Sequence, residues 1–335
     1  MGPLRSDEGE SVAFRNEKCV SSRIALAAVF AVIAAAGVLT MFADTAEAQV
    51  LNPNRHVYDK NIYYFQPPSD GSGLIVTWGS EPIGNFGIHA GAMVDYAHRP
   101  MEYTDPQDKV KTVIYNQTAV NGMFGVGLWH AFNVSGAFVQ VPSRSFNSRY
   151  QDIYEWKEAV TGDARVAGKY MLFNRREDGM GIAFVGEVGL PTGDEENFVS
   201  DEQMTFLPRL VIDWGNEWYT LALNGGYKVY TEEIDGGLFN IPTGNEFLGS
   251  AGVTFRMFRV LELVGDYQMR MYEGESDMSK AYMEAFGAVR TTFFVNNPLR
   301  FTFGASAGLT DGVGTPISRF YGGVSFFFRE IGKPR

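Results

Sequence analysis

The sequence predicts an all-β protein, a transmembrane antiparallel up-and-down barrel of about 12 strands that follows an N-terminal signal peptide. Three observations predict it. The first is parity: in residues 261–271, LELVGDYQMRM, Leu261, Leu263, Gly265, Tyr267, Met269 and Met271 share one face of an extended chain, with Glu262, Asp266, Gln268 and Arg270 on the other. The second is length, since most segments with this pattern run about 10 residues, what a tilted strand needs to cross a bilayer. The third is the order of connections, in which short and long alternate along the chain. Short turns on one side and long loops on the other belong to an outer-membrane barrel, and an even strand number returns both ends to the turn side.

In chain order, Arg15, Lys18 and Arg23 precede the apolar stretch IALAAVFAVIAAAGVLTMF at 24–42. Ala46 and Ala48 then supply the small residues of a cleavage site before Gln49, so residues 1–48 read as a secretory signal peptide. The alternative is an uncleaved membrane helix, for which 19 residues are about sufficient. The only cysteine, Cys19, lies before the apolar stretch, so cleavage would leave no thiol for a disulfide or a metal. Residues 49–85 do not alternate and contain Pro67-Pro68 and the stretch SDGSG. They read as a periplasmic extension, a plug or an extra strand.

The barrel is expected over residues 86–328. Alternating segments recur at 86–97, 118–128, 134–141, 163–173, 181–190, 205–214, 218–230, 246–257, 261–271, 281–293, 299–309 and 320–328. GNE at 215–217 and FR at 258–259 are the tight connections, whereas 142–162, 191–204 and 231–245 are the long ones. The final segment carries Tyr321, Gly323 and Ser325 on one face and Phe326 and Phe328 on the other, similar to the terminal assembly signal of outer-membrane barrels. Residues 329–335 are a short tail.

With the apolar parity facing lipid, Ala164, Val166, Gly168, Tyr170 and Leu172 point outward, as do Tyr219, Leu221, Leu223, Gly225, Tyr227 and Val229. The opposite parity gives twelve lumen-lining candidates: Asp95, Arg165, Lys169, Glu187, Arg209, Asp213, Lys228, Glu262, Asp266, Arg270, Glu284 and Arg290. Acids and bases are balanced, which predicts mutual pairing or weak ion selectivity, because a strongly selective pore carries rings of one sign. Trp129, Trp214 and Trp218 flank short turns and are expected in an interfacial girdle.

The formal charge of −11 argues against nucleic acid as a partner, since sequence-independent binding needs a basic surface. Of the four histidines, His56, His89, His98 and His130, no two have metal-ligand spacing, and His89, expected in the lumen, has no serine beside it. No catalytic residue, metal site or cofactor is therefore expected. The acidic run Asp194, Glu195, Glu196, Asp201 and Glu202 lacks an ordered calcium-loop pattern and reads as a solvated exterior loop.

Several motifs add a family resemblance: FQPPSDGSG, MVDYAHRPM, GDARVAGKY, GLPTGDEENFVSDEQMTFLPRLVIDW and GVGTPISRFYGGVSFFF. They resemble the barrel of exported OmpA-family proteins of the deltaproteobacterial type, and in places barrels of the phenol-degradation outer-membrane transporter group. The likeness spans about Phe65 to Phe328, and no peptidoglycan-binding domain follows within this sequence. What is expected is a passive or weakly selective channel for small solutes in the outer membrane, in contact with lipid and lipopolysaccharide, assembled by the barrel machinery through its last strand. The alternative is a non-conducting structural or adhesive envelope barrel with a self-plugged lumen. Neither the oligomeric state nor the solute is legible.

Overall fold

A computed structural model describes residues 61–104, 110–147, 157–194, 197–231, 244–257, 260–293 and 299–328. The expected signal peptide, His56 and the C-terminal tail lie outside these residues. The wall consists of β1 (Ile88–Thr104), β2 (Val110–Trp129), β3 (Phe132–Phe146), β5 (Ala164–Phe173), β6 (Met180–Leu190), β7 (Thr205–Gly215) and β8 (Tyr219–Tyr230). It continues with β9 (Glu246–Met257), β10 (Leu261–Tyr272), β11 (Tyr282–Phe293), β12 (Leu299–Gly308) and β13 (Ser318–Phe328). β4 (Val160–Thr161) is a two-residue ladder on β3 between the third and fourth wall strands.

All neighbours are antiparallel. β1 pairs with β2 on one side and with β13 on the other, from Ile88 opposite Phe328 to His98 opposite Ser318, so the sheet has no free edge. Closure lets strands satisfy their backbone groups inside hydrocarbon. The parity holds at the surface: Val166, Leu172, Leu210, Leu221, Leu223, Leu263, Phe303, Phe326 and Phe328 are exposed, and so are Trp129 and Trp218 beside their turns.

One expectation is corrected. Residues 98–104 and 110–117, which fall in what was read as a connection, extend β1 and β2 as a paired ribbon with register shifts at His98, Met101 and Glu102. Pro100 lies in that irregular stretch, where a missing N–H is tolerated. The charged residues around it hide the strand period. The ribbon's inward residues Met101, Val113 and Ile114 are buried with Ile62, Phe146 and Phe198. β3 likewise continues through Pro142 to Phe146.

A second finding concerns the interior. Wet-lumen reasoning leaves inward apolar residues such as Val185, Val211, Val264 and Phe286 without a purpose; here they meet residues 61–83, which pass through the barrel once. At the long-loop end Ile62 packs in the ribbon cluster and donates its N–H to Phe198 O at 3.1 Å. Tyr63, Phe65, Leu74, Ile75 and Val76 form one core with Met93, Met123, Val139, Val264 and Phe286. Farther toward the turns, Trp78 packs on Ala167, Ala183, Val185 and Val211. The segment reaches the short-turn end before β1 begins at Ile88.

Its path depends on glycine. Leu74 donates its N–H to Thr77 O at 2.8 Å in a tight turn, and Gly73, with φ of 95°, has Thr77 O only 2.3 Å from where a Cβ would stand. Gly71, with φ of 66°, leaves the space taken by the His89 ring.

Candidate functional site

At the short-turn end, the connection between β5 and β6 forms one helical turn, α1 (Arg175–Asp178), capped by the Asn174 side chain and by Gly179 in the left-handed region. It presents Arg175 and Arg176 to Glu81, each at 3.1 Å. Burial pushes the Glu81 carboxyl up, but the guanidiniums of Arg176 and Arg175 outweigh it and hold it below its ordinary value. Just inside, Lys169 on β5 forms an ion pair with Asp70 and donates to Ser72 Oγ at 2.7 Å, Gly79 O at 3.1 Å and Glu81 O at 2.7 Å. Asp213 on β7 accepts from the Ser80 N–H and hydroxyl, both at 2.8 Å.

At mid-depth the wall grips the segment by its main chain. One oxygen of Asp266 accepts the N–H groups of Ile75, Val76 and Thr77 at 2.8, 2.8 and 3.1 Å, and the other accepts the Thr77 hydroxyl at 2.5 Å. Asn224 on β8 accepts from Trp78 N at 2.7 Å and donates to Trp78 O at 3.1 Å. Arg290 on β11 donates to Gly73 O and Leu74 O at 3.0 and 2.6 Å, and forms an ion pair with Glu262 at 3.7 Å. Glu262 also holds Arg256 at 2.7 Å.

Toward the long loops the wall's own charges predominate. Arg319 on β13 lies between Asp95 on β1 and Glu284 on β11, and Asp95 also accepts the Tyr63 hydroxyl at 2.5 Å. Arg165 pairs with Glu187 at 3.2 Å, Lys228 with Asp201 at 2.6 Å and Arg270 with Glu246 at 3.7 Å. Arg270 donates to Gln66 at 2.8 Å and stacks its guanidinium 4.7 Å from the Tyr64 ring centroid. Arg209 lies 5.7 Å from the Trp78 ring centroid.

All twelve sequence-predicted lumen residues are buried inside the barrel. They do not form one site. Two pairs, Arg165 with Glu187 and Arg290 with Glu262, join candidates to each other; Lys169, Asp213 and Asp266 turn to the luminal segment. The remaining ion pairs use partners that parity did not mark, notably Arg319 and Glu246. Arg319 stands one residue before the segment read as the last strand, and Glu246 is the first residue of its own, so both fell at the margins of the pattern. Asp201, expected in a solvated acidic loop, is corrected: it is buried against Lys228, because residues 197–201 fold inward over the barrel mouth. Asp194 is partly buried, 2.7 Å from the exposed Lys157, and Glu195 and Glu196 lie outside the described residues.

Among the described residues, the segment and the inward side chains pack across the lumen. Spaces beside the segment, again among the described residues, include one of about 20 Å³ bounded by Tyr63, Arg165 and Lys228 and one of about 30 Å³ bounded by Ile75, His89 and Arg300. Each has room for about one or two waters, and neither is a solute path.

No family model matches the chain, and no curated protein matches it. Solved structures do. The outer membrane channel of COG4313 from Pseudomonas putida F1 is 11% identical, with a TM-score of 0.53 over 74% of this chain and 97% of that one. A NanC porin gives 8% identity and a TM-score of 0.46 over 73% and 100%; the CymD monoaromatic hydrocarbon channel gives 8% and 0.39 over 73% and 88%. The first of these likenesses, together with the closed apolar-surfaced wall, establishes the fold: this chain is an outer-membrane-type β-barrel.

Proposed function

We propose that this protein is an outer-membrane channel for small solutes whose resting state is closed by residues 61–83, and that it conducts when this segment shifts from its seat. The observation that carries the reading is that the segment is held by ion pairs, hydrogen bonds and apolar packing on a wall that closes without it. Every wall strand pairs with two wall neighbours and none pairs with the segment. The segment can therefore move without opening the hydrogen-bonded cylinder. The paired luminal charges predict weak ion selectivity. Lipid and lipopolysaccharide are the surroundings proposed for the wall, and the assembly machinery the partner for β13; the resemblance to OmpA-family barrels belongs to the same proposal. No enzymatic role is assigned.

A second reading is favoured by the fullness of the lumen: a permanently closed structural barrel. Single-channel recording of the purified full chain in planar bilayers separates the two. Intermittent openings from a silent baseline support the channel, and silence in repeated reconstitutions, with folded protein confirmed by heat-modifiable mobility, supports the structural barrel.

A further inference from the structure

Over residues 71–81 most of the wall's hydrogen bonds to the luminal segment go to backbone atoms. From residue 71 to residue 81 the acceptors Asp266, Asn224 and Asp213 take N–H groups at 75, 76, 77, 78 and 80. The donors Arg300, Arg290 and Lys169 take carbonyls at 71, 73, 74, 79 and 81. We infer that this mid-lumen wall is a binding site for peptide main chain, that residues 71–81 are its resident occupant, and that the solutes the channel admits are peptides.

The inference rests on the channel reading and names its solute class. The segment also fits by its side chains, with Leu74, Ile75, Val76 and Trp78 in apolar clusters and the hydroxyls of Ser72, Thr77 and Ser80 hydrogen-bonded to the wall. Main-chain contacts do not discriminate among side chains, so the polar part of the site accepts any chain of secondary amides that can follow the same turn. Removing the occupant also leaves a specific demand. Asp213 and Asp266 are buried, and every wall-to-lumen contact given above for them goes to the segment. A replacement must bring fixed N–H donors to these carboxylates and, within a few residues, carbonyls to Arg290 and Lys169. A peptide alternates the two groups along one strand, whereas a saccharide offers hydroxyls and no fixed alternation. Around Leu74, Ile75 and Val76 the wall is apolar, with Met93, Met123, Val264 and Phe286, so aliphatic side chains suit the same site.

The test uses the full chain carrying a protease site inserted between Gly84 and Asn85, ahead of β1, where an added Cβ at Gly84 meets nothing within 4 Å. Cutting after folding turns the occupant into a non-covalent ligand. A fluorescent, end-blocked peptide of the sequence from Pro68 to Glu81 is then exchanged into the cut protein. It is compared with a version N-methylated at the positions of Ile75, Val76 and Thr77, with one in which Leu74, Ile75 and Val76 are permuted, and with maltotetraose as competitor. Expected are saturable binding by the parent peptide, binding within about threefold for the permuted one, at least tenfold weaker binding for the N-methylated one, and no competition by the saccharide. Equal binding of the N-methylated peptide, competition by the saccharide, or a cut segment that leaves only when the barrel itself unfolds would overturn the inference. Bilayer current on the uncut protein is read separately. Peptide binding without current would sink the channel reading and leave the site; current without peptide binding would do the reverse.

Discussion

Lys169 on β5 and Asp70 in the luminal segment form an ion pair in which neither side chain reaches solvent. Removing one partner leaves the other charge buried, a change that costs about 3–5 kcal/mol, whereas removing both is far milder. Asp70→Asn and Lys169→Met are therefore each expected to lower the unfolding midpoint, read as the temperature of the heat-modifiable gel shift. The double variant should recover much of the loss. Additive losses would mean that the two residues act independently.

Leu210 is the sixth residue of the 11 in β7 and points outward. Leu210→Arg places a charge near the bilayer midplane and should destabilise the barrel by about 2–4 kcal/mol, against about 0–1 for Ile88→Arg at the start of β1. Urea unfolding in lipid vesicles measures both. Equal costs would contradict the depth assigned to β7.

Glu81 gives the turn-side end of the segment a pH dependence. Its carboxyl is held below its ordinary value of 4.5 by Arg176 and Arg175, so its contribution is fully present above about that pH and is lost as pH falls through the lower folded value. These side chains are partly exposed, which limits the effect to about 1 kcal/mol or less. Proteolysis near Gly84 should accelerate as pH falls below 4.5. In Glu81→Gln the rate should be raised at neutral pH and lose that step. An unchanged profile in the variant would assign the acid response elsewhere.

The side of the membrane is testable through the connections. An epitope inserted after Asp194, in a long connection, should bind antibody on intact cells, and one at Asn216, in the tight turn between β7 and β8, only after permeabilisation. Reversed labelling would invert the barrel.

The wall was legible in the sequence because a strand between lipid and a polar interior has period two in both media; Leu263 and Glu262 declare their faces from one residue apart. The first two strands were legible only in part, since beyond His98 the ribbon leaves the lipid and its charged residues no longer alternate with grease. Lumen residues could be named but not partnered. Parity places Lys169 and Asp266 inside, yet their partners are some 90 and 190 positions away, on a segment with no period of its own. The apolar inward residues were the missed signal: Val211, Val264 and Phe286 have no place in a wet pore and required an occupant. Residues 61–83, rich in Pro, Gly and aromatics, were the available one.

Ser69 in the segment and Ser135 on β3 stand with their hydroxyl oxygens 2.7 Å apart, and the sequence has no cysteine besides Cys19. The doubly substituted protein, Ser69→Cys with Ser135→Cys, can fasten the segment to the wall by a disulfide that a reductant releases. Single-channel recording of this protein, oxidised and then reduced in the same bilayer, tests most directly whether movement of the segment opens the lumen. The account predicts silence when oxidised and, after reduction, openings of the amplitude seen without the substitutions. Openings that are the same in both states, or absent in both and in the unsubstituted protein, would contradict it.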